Sequence, residues 1–423
     1  MRVDPLAVAG RIGPDRLMAA IEALAAGYAE SGEPGWTRRV FSEPYRAARD
    51  WVAGQMRAAG LEVTLDAGGN VLGRLPGRSP SKPAIVLGSH SDTVWAGGRF
   101  DGIVGVLAAV AVAAAVNESG FELEHDLVVA DFLGEEANPF GISCIGSRSV
   151  AGVLEPWHLS REDPDGATLG VAMERFGVDP DAALSGAWAP NSVHAYLELH
   201  IEQGPLLETS GKQIGVVTAI AGIERLIAAF TGRADHAGTM PMEQRSDALL
   251  AAASAALSVE REACGAPVHA VATSGRIDAF PGAMNVVPGS ARLWAEMRSV
   301  DPAWLHGAKR RLAERIAQDA SARGVDTAIE WLSDQDPVPT AHSVQDRIAQ
   351  AAEGLGLTWE SVPSGAGHDA AHMAHLGPMG MIFIPSIGGR SHVPEELSLP
   401  KDIVDGARVL ALTALDLDSR EPT

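Results

Sequence analysis

Ala84-Ile85-Val86-Leu87-Gly88-Ser89-His90-Ser91-Asp92 is the stretch that decides the fold. Its first five residues form an apolar, β-prone run without polar alternation, which predicts a buried strand of a parallel sheet. In open α/β sheets, chemistry collects just beyond the carboxyl ends of such strands. His90 and Asp92 fall there. Their i, i+2 spacing in extended chain puts both side chains on one face, so Asp92 is placed to orient the other ring nitrogen of His90. Alone, this is also what a strand followed by a polar turn looks like.

The neighbouring segments add to it. Gly98-Arg99-Phe100-Asp101-Gly102 ends where an apolar helix, Ile103 to Val116, begins. The helix dipole favours a carboxylate there. A capping Asp can still present an outer oxygen to a cation. The helix is shorter than the roughly 20 apolar residues a bilayer needs, and so belongs to a core. Leu127 to Leu133 reads as a second buried strand with Glu135-Glu136 beyond its end. Adjacent carboxylates in an apolar setting divide labour between a metal ligand and a proton carrier.

A third strand, Ala195 to Leu199, brings His200 to the same edge, with Glu198 and Glu202 on its face. A fourth, Met381 to Pro385, leads through Gly388-Gly389 to Ser391-His392. Imidazoles and carboxylates at four strand ends spell a two-metal hydrolase, with Zn²⁺, Mn²⁺, Co²⁺ or Ni²⁺ all suited to the ligands.

The order of elements outlines the threading. Up to about Gly211, strands and helices alternate, with helices over Asp15–Tyr28 and Pro44–Ala59 and extended runs at Leu61–Asp66 and Asn70–Leu75. This predicts a sheet covered on both faces. Ser160 to Pro190, rich in Asp, Gly and Pro, reads as a long excursion. After Gly211 come extended runs at Ile214–Ile220 and Glu224–Thr231, a helix from Ser246 to Cys264, and runs at Ala270–Asp278 and Ala291–Met297. A helix from Pro302 to Arg323 and a strand at Thr327–Leu332 complete the set. This is a smaller α+β domain inserted into the first. The expected division is 1–212 and 334–423 for a discontinuous catalytic domain and 213–333 for the insertion.

The chain resembles the metal-dependent amidohydrolases that cleave N-carbamoyl-L-amino acids, 3-ureidopropionate and allantoate, a branch of the aminoacylase and carboxypeptidase clan. The resemblance runs from about Ser42 to Glu395-Glu396. It is specific at Gly88–Asp92, Gly97–Gly102, Leu199–Pro205 (Leu-His-Ile-Glu-Gln-Gly-Pro), Asp235–Gly238 and Gly365–Ala370. It implies a zinc-peptidase-like mixed, largely parallel sheet with a ferredoxin-like lid and dimerisation domain. It implies further that His90 and His200 each hold one metal, that Asp101 bridges the two, and that Glu136 and His392 complete the set. Glu135 becomes the general base and acid. Gln203, Asn285, Arg298 and His368 bind substrate, with Arg298 on its carboxylate. His236 stabilises the oxyanion from the partner subunit of a homodimer. Because His236, Asn285 and Arg298 fall in the insertion, the two domains are expected to close over substrate, hinging near Glu208–Lys212 and Asp334–Pro339.

The sequence departs from the family pattern in places. Ala137-Asn138-Pro139-Phe140 stands where the family has a small residue and then Arg-Phe. Glu296 replaces the usual aspartate before Met297-Arg298, Met240 replaces a threonine, and Arg390 adds a cation near His392. These bear on specificity and leave every ligand in place. An N-acyl-amino-acid hydrolase or dipeptidase with the same metals is the alternative activity. A non-catalytic binding relative would lack a ligand or the base.

Composition excludes other classes. Thirty-three basic against 54 acidic residues give a net charge of −21, which argues against nucleic acid as a partner. An anionic substrate then needs local help, as from Arg298. Cys144 and Cys264 are too few for a disulfide framework and fit a reducing compartment. Met1-Arg2-Val3-Asp4-Pro5 opens no apolar leader, so a cytoplasmic enzyme without membrane association is expected.

Overall fold

The structure is a computed structural model that describes residues 3–419. The leader expectation that rests on Met1 and Arg2 therefore lies partly outside the described residues. The chain divides into two compact units, Met1–Thr218 with Thr340–Val362 and His368–Thr423, and Ala219–Pro339 with Pro363–Gly367.

The first unit is built on strands β1 (Glu62–Leu65), β2 (Val71–Leu75), β3 (Ala84–His90), β4 (Leu127–Phe132), β5 (Val193–Ile201) and β6 (Ile214–Ile220). The second contributes β7 (Gly222–Thr231), β8 (Asp235–His236), β9 (Val271–Phe280), β10 (Val286–Val287), β11 (Ser290–Ser299), β12 (Asp326–Gln335) and β13 (Val338–Pro339). β14 (Trp359–Ser364) and β15 (Met379–Ile384) follow. The large sheet runs β1-β2-β4-β3-β5-β15-β6-β13, with β14 also on β6. β4, β3, β5 and β15 are mutually parallel, and the flanking pairs are antiparallel. This is a mixed α/β fold with a largely parallel core sheet flanked by helices.

Burial explains the pattern. β5 and β15 are buried at every position, as strands covered on both faces must be. The helix Ile103–Ser119 is apolar on all sides and buried along almost its whole length, so it packs as core against β3, β5 and the helix Pro400–Asp418. Its partners in that core include Leu87, Leu197, Leu199, Ile382, Ile384, Val409 and Leu410.

Two readings of the sequence are corrected. The excursion after Ser160 contains two short helices, Leu169–Phe176 and Pro180–Leu184. Thr168 caps the first, Gly177 in the left-handed region ends it, and Asp179 and Pro180 open the second. Gly177, Asp179 and Pro180, part of what makes the stretch rich in Asp, Gly and Pro, are therefore helix ends. Leu169, Met173 and Phe176 pack with Tyr45, Leu133 and Phe140 in a core of their own. The run Ile214–Ile220 belongs to the large sheet, where it pairs with β13, β14 and β15, and not to the four-stranded sheet of the insertion.

In the second unit, β7, β9, β11 and β12 form an antiparallel sheet of order β12-β7-β11-β9. Helices Ala248–Cys264 and Pro302–Ser321 pack on it through Leu226, Phe230, Leu293, Met297, Leu305 and Leu312. No helix among the described residues is long and apolar enough to cross a membrane.

Candidate metal centre

The carboxyl ends of the parallel strands carry the chemistry. His90 is the last residue of β3, and His200 is the penultimate residue of β5. Glu135 and Glu136 follow β4, and His392 lies in the loop after β15. Asp101 precedes Gly102, the N-cap of the helix Ile103–Ser119. Gly102 has φ +65°, and a Cβ there would fall 2.4–2.5 Å from the ring of His90, so only glycine lets Asp101 and His90 come together. His90, Asp101, Glu135, Glu136 and His200 are buried, while His392 is half exposed.

Asp101 is the hub. Its Oδ1 lies 3.2 Å from His200 Nε2 and 3.5 Å from His90 Nε2, and its Oδ2 lies 3.3 Å from His392 Nε2. Glu136 Oε1 is 3.7 Å from the same His392 nitrogen. His90, Asp101 and His200 form one group able to hold a cation, and Asp101, Glu136 and His392 form another, so the imidazoles of His90 and His200 fall in one group and not one to each metal as the resemblance implied. The shared carboxylate makes this a dinuclear site.

The donor chemistry fits that reading. His90 Nδ1 faces the backbone carbonyl of Asp92 at 3.2 Å, and His200 Nδ1 faces that of Ile201 at 2.9 Å. Each Nδ1–H donates to its carbonyl, which leaves a lone pair on each Nε2. That of His200 meets the Gly102 N–H at 3.3 Å, and both lone pairs lie beside a carboxylate oxygen. Such an arrangement is repulsive unless a cation or a proton stands between them, and divalent ions supply the first. A third group, Glu198, His200 and His368, also comes together. There Glu198 already accepts hydrogen bonds from the Ser89 hydroxyl at 2.9 Å and the Tyr196 hydroxyl at 2.8 Å.

The electrostatics follow from burial and neighbours. Burial would raise Asp101, but the imidazoles of His200, His392 and His90 hold it well below the usual carboxylate range. Burial lifts Glu135 well above that range, aided by Glu136, Asp369 and Asp92 against the opposing pull of His90. Burial and Asp101 together push Glu136 up to about 7. The hydrogen bond to Asp101 raises His392 to about 9. Burial and His200 keep the neighbouring His368 neutral, well below the usual imidazole value.

Glu135 lies beside the first cation group. Its Oε2 lies 3.6 Å from His90 Nε2, and its Oε1 lies 3.6 Å from the thiol of Cys144.

Asp92 sits against the site differently from its sequence reading. Its backbone carbonyl, not its carboxylate, is the nearest acceptor for His90. The carboxylate lies 3.6 Å from that ring and accepts the backbone N–H groups of Glu135 and Glu136, each at 3.2 Å. Gln203 is drawn into the cluster, donating from Nε2 to Asp101 Oδ2 at 2.7 Å. Gln203 and His392 are both non-glycine residues in the left-handed region, with φ +58° each. Strain of this kind persists only where the surroundings over-determine it. His368 packs edge-on against His200, with ring centroids 4.7 Å apart.

His236, Asn285 and Arg298 belong to the second unit. His236 is exposed on β8, which pairs with β10 beside Asn285. Arg298 donates from Nε to Glu296 at 2.8 Å and from Nη1 to the carbonyl of Gly365 at 3.1 Å. Three residues of the first unit without a role in the sequence reading also stand close to the site. These are Cys144, Ser391, whose hydroxyl lies 3.0 Å from Asp101 Oδ2, and Glu396. Their signal in the sequence is slight: Ser391 and Glu396 act through Asp101, nearly 300 residues away, and Cys144 is a lone cysteine in the loop that follows Glu135.

The sequence pattern of Peptidase family M20/M25/M40 matches residues 86–416, the stretch that holds every residue of the two cation groups. The chain belongs to that family. It is a metal-dependent hydrolase of the family's hydantoinase/carbamoylase branch. An N-carbamoyl-L-amino acid amidohydrolase of Geobacillus stearothermophilus is 39% identical over 387 residues, covering 92% of this chain and 94% of the relative. A ureidoglycolate hydrolase of Arabidopsis thaliana is 38% identical over 398 residues, covering 92% of this chain and 84% of the relative. The crystal structure of an amidase of the hydantoinase/carbamoylase family from Burkholderia multivorans superposes with a TM-score of 0.87 at 35% identity, covering 98% of this chain and 99% of that one.

Proposed function

We propose that this enzyme hydrolyses the C–N bond of an N-carbamoyl amino acid or related ureido acid, giving the amine, ammonia and carbon dioxide. The observation that carries the reading is Asp101 shared between two cation groups, with Glu135 beside them. The activities of the relatives, on N-carbamoyl-L-amino acids and ureidoglycolate, supply the substrate class.

His90, Asp101 and His200 would hold one divalent ion and Asp101, Glu136 and His392 the other, with Zn²⁺, Mn²⁺, Co²⁺ and Ni²⁺ as candidates. When bound, the ions make the attacking water more acidic and polarise the ureido carbonyl. Glu135 takes the water's proton at Oε2 and returns it to the leaving nitrogen. Raised basicity from burial suits both halves of that transfer. His236, from the partner subunit, donates to the oxyanion. Gln203, Asn285 and His368 line the substrate, and Arg298 grips its carboxylate with a two-pronged fork.

The second unit, with its β-α-β-β-α-β order, is read as a ferredoxin-like lid and dimerisation domain. β9 supports the homodimer. It is the edge strand of its sheet and exposes Val271, Ile277 and Phe280 to solvent. An exposed apolar edge of this length invites a second copy. Cys144 and Cys264 share no disulfide, which fits a cytoplasmic setting.

Replacing Arg298 by Lys should raise KM about tenfold or more with a smaller effect on kcat, since a point charge cannot reproduce the bidentate grip. Steady-state kinetics read this directly. The substrate class is tested by ammonia release from N-carbamoyl-L-amino acids, 3-ureidopropionate and allantoate, beside free amino acid from N-acetyl amino acids. Ammonia from any of the first three supports the reading. Cleavage of acyl substrates alone would move the enzyme to the aminoacylase side.

A further inference from the structure

Glu396 is a buried carboxylate that the mechanism does not use. Its Oε1 accepts the consecutive backbone N–H groups of Phe100 at 2.9 Å and Asp101 at 3.1 Å. Its Oε2 accepts the Ser391 hydroxyl at 2.8 Å. One side chain thus ties the segment that carries Asp101 to the segment that carries His392, although nearly 300 residues separate them in sequence. The space it occupies is kept open by Gly98. A Cβ on Gly98 would lie 2.1 Å from Glu396 Oε1 and 2.5 Å from its Cβ. The glycine of the Gly98–Gly102 segment is therefore needed for close approach by this carboxylate, not for a left-handed turn.

The two tethered segments supply two of the three ligands in the Asp101, Glu136 and His392 group. The His90, Asp101 and His200 group draws its imidazoles from strand ends fixed by the sheet. His392 has no such frame. It sits half exposed in a loop, with a left-handed backbone. We infer that Glu396 is a positioning residue that sets the cation affinity of the Asp101, Glu136 and His392 group by locking the Asp101 segment to the Ser391-His392 segment. The inference rests on the two-metal reading above and goes beyond it, because it makes the two cation groups unequal in what holds them. Glutamine at 396 keeps the shape but presents an amide in place of one acceptor oxygen, so one of the two ties is lost.

The test is titration of the chelator-stripped full-length enzyme with Mn²⁺ alone, followed by calorimetry. Wild type takes up two Mn²⁺ per chain. Glu396→Gln keeps one at wild-type affinity and binds the other about 10–100-fold more weakly. Its kcat returns toward wild type as Mn²⁺ is raised. Adding Glu396→Gln to His392→Ala, which abolishes the same group, changes Mn²⁺ binding no further. If Glu396→Gln does not fold, Glu396→Asp, which keeps the acceptors on a shorter arm, carries the same comparison. Wild-type affinity for both ions in the variant overturns the inference. So does equal weakening of both, which marks general loosening, or a kcat that excess Mn²⁺ does not restore. Fewer than two Mn²⁺ in wild type overturns the two-metal reading itself.

Discussion

An enzyme carrying Glu135→Gln should turn over about 10²–10⁴-fold more slowly than wild type while keeping both metal ions. Glutamine matches the shape of glutamate, and the backbone N–H of residue 135 still donates to Asp92. The local fold therefore has no reason to change. What changes is the oxygen 3.6 Å from His90 Nε2, which can no longer accept a proton from water and hand it to nitrogen. The decisive pairing of measurements is kcat with metal content. Retained turnover would mean that another group is the base. Lost metal would mean that Glu135 is itself a ligand.

Asp101→Asn should be as damaging for a different reason. Asp101 offers one oxygen to His90 and His200 and the other to His392. Asparagine keeps one oxygen and turns the other position into an N–H donor, so one group loses its carboxylate whichever way the amide faces. The negative charge that compensates two cations is lost as well. The expected result is uptake of one Mn²⁺ or none. Activity should fall by more than the roughly 100-fold that a change to an outer-shell partner costs. Normal uptake of two ions would show that the bridge lies elsewhere.

The residues of the two cation groups were legible in the sequence because most of them sit next to a strong local signal. The apolar runs of β3, β4, β5 and β15 mark strands, and their ends mark positions where side chains meet. Asp101 was legible because Gly102 and an all-apolar helix follow it. Less legible were properties that depend on pairing between distant segments. Ile214–Ile220 has the texture of any strand, and only its partner β15 places it in the large sheet. The carboxylate of Asp92 reads as a partner for His90 from spacing alone. Its work on the backbone of Glu135 and Glu136 appears once the loop after β4 is folded against it. Glu396 shows the same limit, since its ties run to residues nearly 300 positions away. The short helices from Leu169 to Leu184 were hidden because helices of five to eight residues are mostly cap.

The most direct test of the account is to strip the enzyme with chelator and add Mn²⁺ in measured equivalents while following ammonia release from an N-carbamoyl-L-amino acid. A two-metal mechanism predicts negligible release without metal and full turnover only as the second equivalent binds. Full activity at one equivalent, or ammonia release indifferent to chelation, would contradict it.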